Sequence, residues 1–262
     1  MPLILPVKEK LCVHVIGAGG TGGYAIPLLA RLLAGGGHVI HVWDGDVVEP
    51  KNLKRQNFCK DDLDRNKAEV MCEKVRRDVH QAPLMVAHSE YIVSPEAFLA
   101  EIVAGLEDDQ SLIIAMAVDN VSTRTLINDV IMKDLVSAHV LTIVLDSGNH
   151  DQGGQVVVYG NALTRFERPF ESPQMGILPT MLQMFSNLAT IEDENPGLVR
   201  KCEDAAESMP QAMMANVRNG ELIAQIIHRV SETHKVAGNL WTSDVLTGNT
   251  KCEFTGFLKK EG

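Results

Sequence analysis

Leu11-Cys12-Val13-His14-Val15-Ile16-Gly17-Ala18-Gly19-Gly20-Thr21-Gly22-Gly23 is the stretch that decides the fold. Its first six residues are apolar on both faces and rich in β-branched side chains, which predicts a buried parallel strand. The glycines follow at once as G-x-G-x-x-G. Missing side chains there permit a tight turn and let backbone N–H groups approach a phosphate at a helix N-terminus. The helix is expected to run to Gly35-Gly36-Gly37, with a mild kink at Pro27, because the carbonyl four residues back belongs to Gly23. His38 to Trp43 is the second strand. It ends in Asp44, where a nucleotide-binding unit places the acid that meets ribose hydroxyls.

The totals bound the reading. With 262 residues, 45% of them apolar, and no run of eighteen or more apolar residues, the chain can bury a sizeable core and is not a membrane spanner. The formal net charge of -10 argues against a general affinity for nucleic acid or an anionic membrane, either of which needs clustered cations. The apolar start, Met1 to Pro6, lacks the basic leader and the length of a signal peptide, so a cytoplasmic location is expected. The five cysteines, Cys12, Cys59, Cys72, Cys202 and Cys252, are odd in number and form no C-x-x-C pair. The histidines lack metal-ligand spacing as well, so no disulfide framework and no zinc are expected.

Further along, Arg65 to Val79 reads as an amphipathic helix and Leu84 to Ala87 as a strand. Ser94 caps a helix reaching Gly105, with Pro95 at its first position. Ser111 to Val118 is a buried strand that delivers Asp119-Asn120 to its C-terminal end, where ligands bind in open α/β sheets. Val121 to Ser137 is helical, and Val140 to Leu145 is a strand ending in Asp146-Ser147-Gly148-Asn149. Gln155 to Tyr159 follows through a short turn and must pair antiparallel if the two are neighbours. Thr164 to Arg200 is studded with prolines, with one helical piece around Thr180 to Leu188, and reads as a functional crossing loop or lid. Pro210 opens a helix to Val230, and a hairpin turns about Thr247-Gly248-Asn249. The expected class is α/β: a Rossmann-like mixed sheet, parallel in its first half, with antiparallel strands in the C-terminal half and helices on both faces. A single domain is expected over 1–262, with its nucleotide-binding part at 8–150, the crossing segment at 164–210 and the last helix and hairpin at 211–258.

After Asp44 come Gly45-Asp46, then Asn52-Leu53-Lys54-Arg55-Gln56, then Lys67 in the first turn of a helix, then Asp119-Asn120 with Arg124. This succession resembles the ThiF/MoeB family, the bacterial relatives of ubiquitin-activating enzymes, over roughly the first 160 residues. The resemblance implies adenylation: the C-terminal carboxylate of a ubiquitin-like or sulfur-carrier protein attacks the α-phosphate of ATP, giving an acyl adenylate and pyrophosphate. An anion attacking a polyanion needs preorganised cations and a metal. By resemblance Arg55 and Lys67 hold the triphosphate beside Asn52 and Gln56. Gly17, Gly19, Gly20 and Gly22 cradle phosphate, Asp44 binds ribose with Asp46 close by, and Asp119, next to Asn120, positions magnesium. A homodimer is implied too. Leu145 to Asn149, Gly154 to Val157, and Cys202, Ala206, Pro210-Gln211 and Asn216 further resemble the stand-alone ThiF-type proteins of the PRTRC plasmid and integrative-element cluster.

Two departures qualify the match. Larger family members carry an arginine on a helix before the first strand, whereas only ten residues precede Leu11 and none is arginine. Arg31, Arg65 or another cation substitutes, or pyrophosphate departure is less assisted. The missing C-x-x-C pairs are the second departure and remove the zinc site. Cys202 is the remaining question: it is either the thiol that accepts the acyl group from AMP or an incidental thiol. Met175, Met181, Met184, Met209, Met213 and Met214 read as gap-filling packing or as a grip on a partner's tail. Two other readings stay open. An NAD-dependent oxidoreductase uses the same opening but leaves Arg55, Lys67 and Asp119 idle. An inactive nucleotide-binding subunit of a larger assembly fits the missing arginine.

Overall fold

The computed structural model describes residues 2–150, 153–161, 164–166, 174–185 and 210–258. In chain order come β1 (Leu3–Ile4), β2 (Lys10–Ile16), α1 (Gly20–Leu32), β3 (Val39–Trp43), α2 (Lys67–Asp78), β4 (Leu84–His88), α3 (Pro95–Gly105) and β5 (Gln110–Met116). Next, α4 (Val121–Asp129) continues through a π-helical turn (Val130–Asp134) into α5 (Leu135–Ser137). The second half holds β6 (Thr142–His150), β7 (Gly153–Gly160), β8 (Thr164–Phe166), β9 (Gln174–Gly176), α6 (Met181–Met184), α7 (Pro210–Thr233), β10 (Lys235–Val236), β11 (Leu240–Asp244) and β12 (Thr250–Glu253).

The main sheet has eight strands in the order β12-β11-β7-β6-β5-β2-β3-β4. From β6 to β4 all neighbours are parallel; β7, β11 and β12 add on antiparallel. Right-handed crossovers fix the layers. The steps β2 to β3 and β3 to β4 run one way along the sheet and put α1 and α2 on one face. The steps β4 to β5 and β5 to β6 run the other way, so α3 and α4 cover the opposite face. α7 packs along α1. Covered on both sides, β5 is buried at every position, which is why its sequence is continuously apolar from Leu112 to Met116 rather than alternating. Among the described residues no helix is long and apolar enough to cross a membrane.

Caps set the helix starts. Ser94 Oγ accepts the Ala97 N–H at 3.2 Å, and Asn66 Oδ1 accepts those of Ala68 and Glu69 at 2.9 and 3.1 Å. α1 runs through Pro27 without a break.

Three features depart from the sequence reading. Strand β6 does not stop at Leu145 but carries Asp146 to His150 into the ladder, opposite Val157 to Gly153. Its antiparallel neighbour supplies hydrogen-bond partners where a parallel strand would have ended. The apolar start does not merely lead into β2: Leu3–Ile4 pairs with β10 and β8 in a small second sheet, ordered β10-β1-β8-β9. Strands of two or three residues leave no periodicity to read. The helix expected at Thr180 is a single described turn, capped by Thr180. Cys202, Met209 and most of the crossing segment lie outside the described residues.

Candidate functional site

At the C-terminal ends of β2 and β3 the glycine turn meets the first acid. Gly17 has φ +95°, and a Cβ there would come within 2.7 Å of the Ala117 carbonyl oxygen, while one on Gly22 would overlap the Gly17 carbonyl. Only glycine fits either place. α1 begins after Gly19 with no side-chain cap, so its first N–H groups stay available to an acceptor. Asp44 is drawn into the turn: Oδ2 accepts the Ala18 N–H at 2.7 Å and Oδ1 accepts that of Asp46 at 2.9 Å. Burial pushes the Asp44 carboxyl above its ordinary range, against the opposing pull of Lys67 and of these two N–H groups.

Lys67 opens α2 and is buried at 6% exposure. Its Nζ lies 2.7 Å from Oδ2 of Asp46. The Tyr91 hydroxyl donates to the other oxygen of the same carboxylate. Burial raises the Asp46 pKa, but the bonds from Lys67 and Tyr91 outweigh it and the net shift is downward. Asn66 braces the arrangement, its Nδ2 donating to the carbonyls of Asp44 at 2.8 Å and Asp46 at 3.2 Å.

The run from Asn52 to Gln56 folds as a 3₁₀ turn over Pro50–Lys54. Asn52 is buried and serves that turn, its Oδ1 accepting the Glu49 N–H at 2.8 Å and its carbonyl accepting from Arg55 and Gln56. Arg55 is half-buried, and its guanidinium makes no hydrogen bond or ion pair with any described residue. Gln56 lays its amide against Gly19 and leaves a buried Oε1 without a donor. Below them Asn57 donates to the Gly23 carbonyl at 3.1 Å, and Lys74 joins the Asn57 carbonyl to Asp62 at 3.0 and 2.6 Å, so the run is pinned to both α1 and α2.

Past β5, Asp119 is exposed, makes no hydrogen bond or ion pair with a described residue, and acts on the buried Arg124 only through its charge. Asn120 caps α4, accepting the Thr123 N–H at 2.7 Å. Arg124 is buried, paired with Asp146, and donates to the carbonyls of Val118 and Ser147. Burial lowers the Arg124 pKa. Within the expected site, then, Asp44, Asp46, Asn52, Lys67 and Asn120 are engaged in internal bonds, while the Arg55 guanidinium and the Asp119 carboxylate make no hydrogen bond or ion pair with the described residues.

The ThiF family profile matches residues 8–259. The chain belongs to the ThiF family. SAMP-activating enzyme E1 of Haloferax volcanii is 39% identical over 122 residues, a match covering 45% of this chain and 40% of that protein. Among solved structures, E. coli MccB with AMPCPP and MccA superposes at a TM-score of 0.59 with 14% identity, covering 96% of this chain and 66% of the other. PaaA superposes at 0.56 with 18% identity, covering 94% and 64%. This ThiF-family chain thus spans 40% of the length of that E1 and about two thirds of those structures, whose likeness bears on fold alone.

Three groups in this ThiF-family protein escaped the sequence reading. Tyr91 and Asn66 are two; the third is an amide network joining α7 to the glycine turn. Asn149 Nδ2 reaches Thr21 Oγ1 at 2.8 Å and Asn216 Oδ1 at 2.6 Å, and the fully buried Asn219 donates to the Gly148 carbonyl at 3.0 Å. A polar Asn219 on the apolar face of α7 was the available signal.

A buried set also lies between the sheet and α3. Cys12 Sγ and a ring nitrogen of each of His14 and His41 lie within 4.8 Å of one another. These are zinc-type donors. The rings of His14 and His41 are stacked, parallel at 4.3 Å and 3°. Trp43 Nε1 donates to His14 Nδ1 at 3.1 Å, and His41 Nδ1 bonds His88 Nε2 at 2.9 Å. In this arrangement the residues form a stacked, hydrogen-bonded core group.

Proposed function

We propose that the chain is an ATP-dependent activating enzyme that adenylates the C-terminal carboxylate of a small ubiquitin-like or sulfur-carrier protein, working as one adenylation unit and as a homodimer. The observation that carries this reading is the half-buried Arg55 guanidinium, without a partner among the described residues, on the turn whose Gln56 amide lies against Gly19 at an uncapped helix N-terminus, together with the buried Lys67 cation. An oxidoreductase has no use for these cations. The substrate carboxylate oxygen attacks the α-phosphorus of ATP, the bond to the bridging oxygen breaks, and pyrophosphate leaves with its electron pair. Arg55 and Lys67 hold the phosphate chain and stabilise the charge that builds on it, Asn52 and Gln56 keep Arg55 in place, and Asp44 meets the ribose. Asp119, an exposed carboxylate at a strand end, suits a hard oxygen-preferring cation, and magnesium bound there with ATP would supply further charge neutralisation. The name of the Haloferax volcanii relative, an E1 that activates SAMP, supports the choice of substrate class. A second step, acyl transfer to the Cys202 thiol, belongs to the same reading.

The experiment is ATP–pyrophosphate exchange with small carrier proteins ending in Gly-Gly. Carrier-dependent exchange is expected. Tight NAD binding without ATP binding would overturn the reading, and ATP binding without exchange with any carrier would make the chain an inactive nucleotide-binding subunit. Cys202→Ala that still forms a thioester would remove Cys202 from the mechanism.

A further inference from the structure

We propose that Tyr91 is a positioning residue for Lys67, freeing that cation for a phosphate chain and so favouring ATP over AMP. The inference rests on the nucleotide reading above. Tyr91 follows β4, at the same end of the sheet as Asp44, and its ring lies on Gly45: a Cβ there would meet ring carbons Cδ2 and Cγ at 2.7 Å and Cε2 at 2.8 Å. Seated on that backbone, the hydroxyl reaches Oδ1 of Asp46 while Lys67 Nζ occupies Oδ2 at 2.7 Å. The Lys67 side chain is only 7% exposed and that of Asp46 35%, so water reaches the pair from the Asp46 side.

Without nucleotide, Asp46 neutralises Lys67. A phosphate chain must draw Lys67 away from Asp46 or share it, and a half-buried carboxylate that loses its cation is costly unless another donor stays. Tyr91 is that donor. Its hydrogen bond strengthens as Asp46 recovers full charge, so it stabilises the nucleotide-bound arrangement more than the free one. AMP has no β- or γ-phosphate and makes no such demand on Lys67.

The test compares wild type, Tyr91→Phe, Gly45→Ala, Asp46→Asn and the Tyr91→Phe/Asp46→Asn double variant. Each is titrated calorimetrically with ATP–magnesium and with AMP, and melting temperature monitors the fold. Tyr91→Phe keeps the ring and is expected to weaken ATP about three- to tenfold while leaving AMP unchanged. Gly45→Ala, by pushing the ring aside, gives the same selective loss. In the Asp46→Asn background Tyr91→Phe has no further effect. Equal loss for both nucleotides, or none for either, overturns the proposal while the nucleotide reading stands. A wild-type protein that binds no ATP–magnesium overturns both.

Discussion

The backbone N–H of Ala18 donates to Oδ2 of Asp44 at 2.7 Å, so the glycine turn after β2 and the acid after β3 are one hydrogen-bonded unit. Asp44→Ala leaves the N–H groups of Ala18 and Asp46 without their acceptor and is expected to cost about 1–3 kcal/mol of stability, with ATP affinity falling as well. Asp44→Asn keeps one acceptor oxygen and costs less. Urea unfolding with parallel ATP titration checks both; an Ala variant as stable as wild type would refute the coupling.

Arg55 and Lys67 are expected to separate stability from activity. Arg55→Ala removes no bond to a described residue, so its stability stays within about 0.5 kcal/mol of wild type. Pyrophosphate exchange falls by about 10²-fold or more, as for loss of a preorganised charge at the reacting centre. Lys67→Ala loses exchange too, but it strands Asp46 and lowers the melting temperature. Equal melting temperatures for the two variants would contradict this division.

Arg124 and Asp146 form an ion pair in which both side chains are under a tenth exposed. Arg124→Met leaves a buried uncompensated carboxylate and is expected to cost about 3–5 kcal/mol. Arg124→Met with Asp146→Leu costs less than Arg124→Met alone, since neither charge remains. A double-mutant cycle by urea denaturation measures the coupling, and additive losses would show that the pair is not a unit.

The stack of His14, His41 and His88 sets a pH dependence. Burial first, and neighbouring histidines second, hold the His41 pKa at about 4 against 6.5 for the free side chain. His14 and His88 are lowered as well, chiefly by burial. Between those two values the unfolded chain binds more protons than the folded one. Stability is therefore complete above the unfolded value and lost as pH falls below it, by at most about 1.4 kcal/mol per pH unit for each histidine. Urea midpoints measured across this window should fall with pH, and His41→Phe should flatten the slope. An unchanged slope would mean that His41 binds protons equally in the folded and unfolded chain and would refute the shift.

Much of the site could be read before the structure, though not how its parts are used. Asp44 was legible because one helix and one strand of ordinary length separate it from Gly22, and that distance is local. Asn52, Arg55, Lys67 and Asp119 were legible as residue types in a fixed succession. Their states were not. Lys67 was expected as a phosphate-binding cation and is paired with Asp46 across the loop before α2; Asn52 bonds its own turn; Asn120 is a helix cap. Tyr91 gave no signal at all, because a tyrosine in a loop acquires its role only where the fold sets it on Gly45.

The sequence by itself determined that a strand, a glycine turn, a helix and a second strand open this chain, and that Gln155 to Tyr159 pairs antiparallel if it lies beside the strand before it. Those are consequences of hydrophobic period and of glycine's backbone freedom, which act over a few residues. Only the tertiary structure decided that β6 runs on to His150, that Leu3–Ile4 joins a second sheet, and that Lys67 pairs with Asp46. Each of these depends on a partner distant in the chain: a neighbouring strand that satisfies backbone groups, or a carboxylate that neutralises Lys67.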